Sequence, residues 1–211
     1  MYLHRWALPL ILSAFVCAAR AEVTPTLNSD AIEAAFGSYG VEVIDQGLGT
    51  RVANLFSGRD TEKVCRTLAV TEFVQPINPV LLASHQEILD GNSIGATLRS
   101  AGFTINKKLL IKTEIPATAA FVALARGTVG ERQNLFTKVY ALYAETPDDS
   151  LPYAVIAEAY HPAHYPPVHE EVTEIAGLKE AAQRALKTLQ RFRLKEGLKT
   201  PAITKLSGIP S

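Results

Sequence analysis

The chain has 211 residues, with 21 Lys or Arg against 21 Asp or Glu and a formal net charge of zero. That balance leaves no electrostatic footprint for a nucleic-acid partner, and 47% hydrophobic against 20% charged residues is the composition of a globular chain. No glycine-rich phosphate loop, G-x-S-x-G elbow or paired-cysteine motif is present. Nucleotide cofactors and serine-type hydrolysis therefore have no local support, and no cofactor is expected.

Residues 1–21 read as a secretory signal. Arg5 supplies the positive start, Ala7 to Ala19 ("ALPLILSAFVCAA") the apolar run, and Ala19-Arg20-Ala21 the small-x-small cleavage pattern. The run is shorter than the roughly 20 residues a spanning helix needs, so no stable membrane span is expected. The expected location is periplasmic or secreted. Removing Arg5 and Arg20 leaves 19 basic and 21 acidic side chains, a charge of −2. The remaining residues suffice for one domain, 22–195, followed by a tail, 196–211. Cys65 is the only cysteine left after cleavage, so no internal disulfide is available and the thiol reads as a small core residue.

In chain order, "NSDAIEAAF" opens with capping residues and predicts a short helix over 29–37 ending at Gly37. "VEVIDQG" and "TRVANLF" predict two strands joined across Gly47 and Gly49. The segment 63–88 reads as a hairpin around "QPIN", with a helix starting at Pro79 as the alternative. "NSIGATLRSAG" places Ile94, Leu98 and Ala101 on one stripe and predicts a helix. "FTINKKLLIKTEI" predicts a strand and "ATAAFVALAR" a helix. Residues 134–162 form a second hairpin about "ETPDDS". The fold class expected is α+β, an antiparallel sheet of about six strands with inserted helices, closed by a C-terminal helix over Leu178–Phe192. From Leu178 onward there are eight Lys or Arg against Glu180 and Glu196. That excess reads as a solvated face, with a weak acidic partner as the alternative.

Two constellations could carry chemistry. In "PYAVIAEAYHP", Ala154, Ile156, Glu158 and Tyr160 share one face at the two-residue period of a strand, so a carboxylate stands among apolar neighbours. A buried carboxylate without a partner costs several kcal/mol, so Glu158 is paired, neutralised or lining a wet cavity. Arg66 in "VCRTLAV" is likewise an ion embedded in a strand. The two either form a structural salt bridge or share a pocket with an anionic organic acid, whose carboxylate matches a guanidinium fork. The second constellation is "HPAHYPPVHEE", with His161, His164, His169, Glu170 and Glu171 close in sequence. These are proper metal ligands, but no spacing matches a metal motif, and the segment reads as a proline-rich connection rather than a metal site.

The order of "FGSYGVEVIDQG", "VCRTLAV", "GNSIGATL" and "IAEAYHP" resembles the chorismate lyase family and its relatives of the same fold. In that family an arginine-bearing strand precedes an LG-x-x-P-L-G-x-x-L segment, and the last strand reads like L-T-E-L-F-x-P. The resemblance spans about residues 30–165. It implies a pocket sealed by helical flaps, with Arg66 gripping a substrate carboxylate, Glu158 facing the bound ring, and Gly95 to Leu98 closing over the ligand. Lys138 in "LFTKVYAL" stands where the family has a pair of arginines, and Ser93 where it has proline. The activity implied is cofactor-free elimination of pyruvate from chorismate to give 4-hydroxybenzoate, with Arg66 and Glu158 as catalytic residues. The alternative is an exported, non-catalytic protein that binds a small cyclic or aromatic carboxylate in the same pocket.

Overall fold

The computed structural model describes residues 27–164 and 171–195. The expected signal segment 1–21, the tail 196–211 and His169 lie outside the described residues. Helix α1, Asn28–Phe36, ends at Gly37, whose φ of +72° suits glycine and whose N–H returns to Glu33 O. Strands β1, Gly40–Gly47, and β2, Thr50–Ser57, pair across a turn in which Gly49 has φ +79°. Strand β3 spans Val64–Phe73.

The expected hairpin over 63–88 does not form, and the chain takes the helical alternative. A short 3-10 turn at Pro79–Leu81 leads into α2, Leu82–Leu89. Pro76 and Pro79 lack the N–H groups a second strand would need. Asn78 Oδ1 accepts from Val80 N at 3.0 Å and starts the turn, while Leu81, Ser84 and Ile88 recur at helical spacing and are buried. Helix α3, Ile94–Ser100, follows, then β4, Thr104–Pro116. Helix α4, Ala119–Leu124, is shorter than expected and is capped by Thr118, whose hydroxyl accepts from Phe121 N. Strands β5, Asn134–Glu145, and β6, Ser150–Tyr160, form the second hairpin, and α5, Lys179–Arg191, follows.

The fold is α+β. Six antiparallel strands lie in the order β1-β2-β3-β6-β5-β4. Period-two alternation gives the sheet two different faces. One carries Val52, Leu68, Val70, Val139, Val155 and Ala157 and packs with α4 and α5, whose Phe121, Ala182, Ala185 and Leu189 complete an apolar core. The other carries Ala69, Phe73, Tyr140, Leu142, Ala154 and Ile156 and packs with Leu27, Leu81, Ile88 and Leu98 from the helical side. Polar side chains of α5 meet the sheet at its margins: Arg184 pairs with Glu72 at 3.0 Å, and beyond the helix Lys195 pairs with Asp45 at 2.6 Å. Cys65 is fully buried, and burial holds its thiol far above its ordinary pKa, as fits a core residue.

Candidate functional site

The second face of the sheet holds a cavity beneath α1 and the start of α3. Its floor comes from Arg51, Ala53, Leu55, Ala69, Thr71, Tyr140, Ile156 and Glu158, and its cover from Leu27, Asn28, Ser29, Tyr39, Ser93, Ile94 and Gly95. About 60 Å³ of it is open to the centres of water molecules. That is room for several water molecules or part of a small organic molecule. Gly95 permits the close cover, since a Cβ there would stand 2.8 Å from Leu27 Cδ1.

Glu158 sits where the alternation places it, on the face shared with Ala154, Ile156 and Tyr160, and it lines the cavity with 4% exposure. Tyr160 Oη donates to Glu158 Oε2. Lys138, also buried, stands directly opposite Glu158 in the β5–β6 register. A carboxylate flanked by a cross-strand cation and a phenol donor meets both conditions for burying charge, a partner and a hydrogen bond.

Arg66 is placed differently from the expectation. The β2–β3 register pairs Leu55 with Thr67 and Phe56 with Cys65, so Arg66 is the extra residue of a bulge. The bulge breaks the two-residue period and turns Arg66 to the rim, where its Nε donates to Ser57 Oγ at 2.7 Å and its guanidinium lies 3.8 Å from the Phe36 ring centroid. Arg66 neither pairs with Glu158 nor lines the cavity. Of the other expected ligand contacts, Gly95 lines the cavity, whereas Leu98 is core and Lys138 lies beside Glu158 in the sheet.

Groups that the sequence reading did not single out complete the site. Arg51, with 2% exposure, donates from Nη1 to Ile88 O and Asn92 O, both at 2.8 Å, and from Nη2 to Gly91 O at 3.4 Å. Its Nε has no hydrogen-bond partner; an orphaned buried donor costs about 1–3 kcal/mol. Tyr39 donates to Ser93 Oγ at 3.2 Å. Burial pushes the Tyr39 phenol up, the Glu158 charge adds to this, and the Arg51 charge opposes it, so the hydroxyl stands within reach of both fields. Lys107 lies 4.6 Å from the Tyr140 ring centroid and lines the cavity beside it.

The two described histidines of the proline-rich segment are engaged in structure. His161 Nδ1 accepts from Ala163 N, so its Nε2 carries the proton and donates to Thr128 Oγ1 at 2.9 Å. His164 Nε2 donates to Asn28 Oδ1 at 2.7 Å, and Asn28 Nδ2 donates in turn to Thr67 Oγ1 at 3.1 Å. Burial, with the nearby Arg66 charge adding to it, pulls His161 down to about 4. His164 is also lowered by burial, although the Glu158 charge works the other way. Among the described residues no three potential ligands come together to hold a metal ion, and no helix is long and apolar enough to cross a membrane.

No protein-family model matches the chain, and no curated protein is significantly similar to it. Three solved structures are similar in part. A transcriptional regulator of the GntR family from Enterococcus faecalis V583 shares 14% identity with a TM-score of 0.37, over 64% of this chain and 96% of that one. PhnF from Mycobacterium smegmatis shares 15% with a TM-score of 0.36, over 66% of this chain and 60% of that one. The effector domain of the same protein shares 16% with a TM-score of 0.39, over 72% and 97%. The fold rests on the strand order and register.

Proposed function

We propose that the chain is a small-molecule-binding protein whose cavity takes a ring-sized organic acid. One observation carries this reading: on a sheet otherwise buried by apolar contacts, Arg51, Lys107 and Glu158 line one cavity together with Tyr39, Ser93 and Tyr140. A few directed polar groups in a small, mostly apolar cavity are what a specific ligand site requires. An apolar core without a guest has no use for them. The N-terminal pattern of residues 1–21 supports export, which makes an extracytoplasmic binding protein the consistent setting. Titration calorimetry of the full chain with single-ring carboxylic acids is the test. Saturable one-to-one binding is expected, and heats of dilution alone across the panel would refute the reading.

The second reading, a chorismate-lyase-like elimination, draws on the resemblance in chain order and on Glu158 facing the cavity from the last strand. The expected cationic partner, Arg66, stands outside the cavity, which favours binding without turnover. Incubation with chorismate, followed for 4-hydroxybenzoate and pyruvate, decides between them: binding alone yields no product, and product lost in Glu158→Gln would establish the lyase.

A further inference from the structure

We propose that the end of α5 is a docking surface for an anionic phospholipid membrane, met through Lys187, Arg191, Arg193 and Lys195. These four side chains are exposed and line one open groove with Thr188, Phe192 and Asp45. Asp45 is the single acid of the lining and is paired with Lys195 at 2.6 Å. Lys187, Arg191 and Arg193 have no carboxylate partner among the described residues. The groove lies on the α5 face of the sheet, away from the cavity. From the proposed function it takes only the export that brings the chain to an extracytoplasmic membrane surface.

Helical spacing and the exit of the chain set up two rows of cations. Arg184, Lys187 and Arg191 follow one another at three and four residues along the exposed side of α5, and Arg184 is answered by Glu72. The helix ends at Phe192, whose backbone is extended; Phe192 and Leu194 are half-buried while Arg193 and Lys195 are exposed. The grip of Asp45 on Lys195 holds this exit beside β1. Lys187 and Arg191 are like charges four residues apart, a spacing that weakens a helix. The helix dipole favours Arg191 in the last turn, but it accounts for neither Lys187 nor Arg193. An anion outside the chain relieves that repulsion.

The chemistry of the groove suits a phosphate-bearing surface. The guanidinium forks of Arg191 and Arg193 match phosphate oxygens, and Lys187 and Lys195 add compact charges. A protein partner would need a desolvated apolar anchor, and the lining offers only Phe192, which packs against the core under α5. A single small anion would have to order four long side chains at once, whereas a surface of many phosphates meets them where they stand. The charge distribution orients the approach. From Leu178 to the end eight Lys or Arg stand against two acids, an excess of +6, while residues 22–177 carry 11 Lys or Arg against 19 Asp or Glu, or −8. An anionic surface therefore attracts this end and repels the rest. The apolar side of α5 is buried in the core, so the contact is made by charge without insertion.

The test is sedimentation of the full chain with vesicles of phosphatidylcholine alone or mixed with phosphatidylglycerol. The quantity read is the excess partitioning onto the anionic vesicles, in which uptake by the apolar residues 7–19, equal on both, cancels. A groove variant combines Lys187→Ala, Arg191→Ala and Arg193→Ala. Its control combines Arg59→Ala, Arg132→Ala and Lys179→Ala, which removes the same charge from exposed positions elsewhere. The excess should fall as salt rises beyond about 0.15 M. It should drop about fivefold per groove cation removed, on the order of 100-fold in the groove variant, and stay near the parent's in the control. No excess in the parent, or equal losses in groove variant and control, would overturn the proposal. So would groove-dependent capture of poly-glutamate without capture of vesicles, which would assign the surface to an acidic protein. Should the groove variant fail to fold, Arg191→Gln and Arg193→Gln taken singly carry the test. Titration of the groove variant with ring acids should match the parent, so this proposal and the cavity reading fail separately.

Discussion

The two faces of one sheet differ in what they bury. Under α5 the strands present Val52, Leu68, Val70, Val155 and Ala157 to Ala182, Ala185 and Leu189, an apolar contact. Under α1 and α3 the same strands present Arg51, Thr71 and Glu158 among apolar neighbours, and the cover leaves a cavity. The first face is organised for stability and the second gives some stability up to hold polar groups around free space. The difference teaches where to look for function: the charges stand at period-two positions inside buried strands, while the charges at the sheet margins and on the exposed side of α5 are solvated.

The largest expected effect falls on the face under α5. Leu189→Ala should cost about 2–5 kcal/mol in urea unfolding, with ligand affinity of the folded protein unchanged. A cost below about 1 kcal/mol would mean that α5 is not part of the core.

Protonation sharpens the contrast next. His161 is held to about 4 when folded, against about 6.5 when unfolded. Between those values the unfolded chain binds the extra proton, so stability is full above about pH 6.5 and falls as pH drops toward 4. The loss is at most about 3 kcal/mol for this group, and His164 adds to it in the same direction. Urea midpoints at pH 7 and pH 5 should diverge in the parent and diverge less in His161→Gln, the remainder belonging to His164. An equal slope in both would assign the pH dependence elsewhere.

Glu158→Ala, which leaves Lys138 and Tyr160 without the carboxylate between them, should cost about 1–3 kcal/mol and weaken ligand binding together. An unchanged melting temperature would break the claim that the carboxylate is integral to the sheet. The smallest effect belongs to Gly95→Ala. The gain in helix propensity, about 1 kcal/mol at most, offsets the displacement of the Leu27 tip, so net stability should move by less than about 1 kcal/mol. Affinity should fall several-fold, because Leu27 and Gly95 both line the cavity. Calorimetry showing unaltered affinity would put the ligand somewhere other than under α3.

Most of the fold was legible because local chemistry and tertiary packing agree. Alternation marked the strands, Gly37 marked the end of α1, and the stripe of α5 marked its buried face. The segment after β3 was misjudged because Pro76 and Pro79 suit a turn in either reading, and only the spacing of Leu81, Ser84 and Ile88 favours the helix. Glu158 was legible as a charge out of place in an apolar alternation. The same argument applies to Arg51, which shares a face with Ala53 and Leu55 in "TRVANLF", and to Lys107. Where the Arg66 side chain goes was not legible, because a bulge depends on pairing between strands and leaves no mark in one strand's own sequence.

The measurement that tests the central claim most directly is backbone amide mapping of the full chain during titration with a panel of single-ring carboxylic acids. The account predicts that at least one acid gives saturable shifts concentrated at Asn28, Tyr39, Ser93, Gly95 and Glu158, the residues around the cavity. Shifts confined to the groove between Leu110 and Gln183 beside α5, or no shifts with any acid, would contradict it.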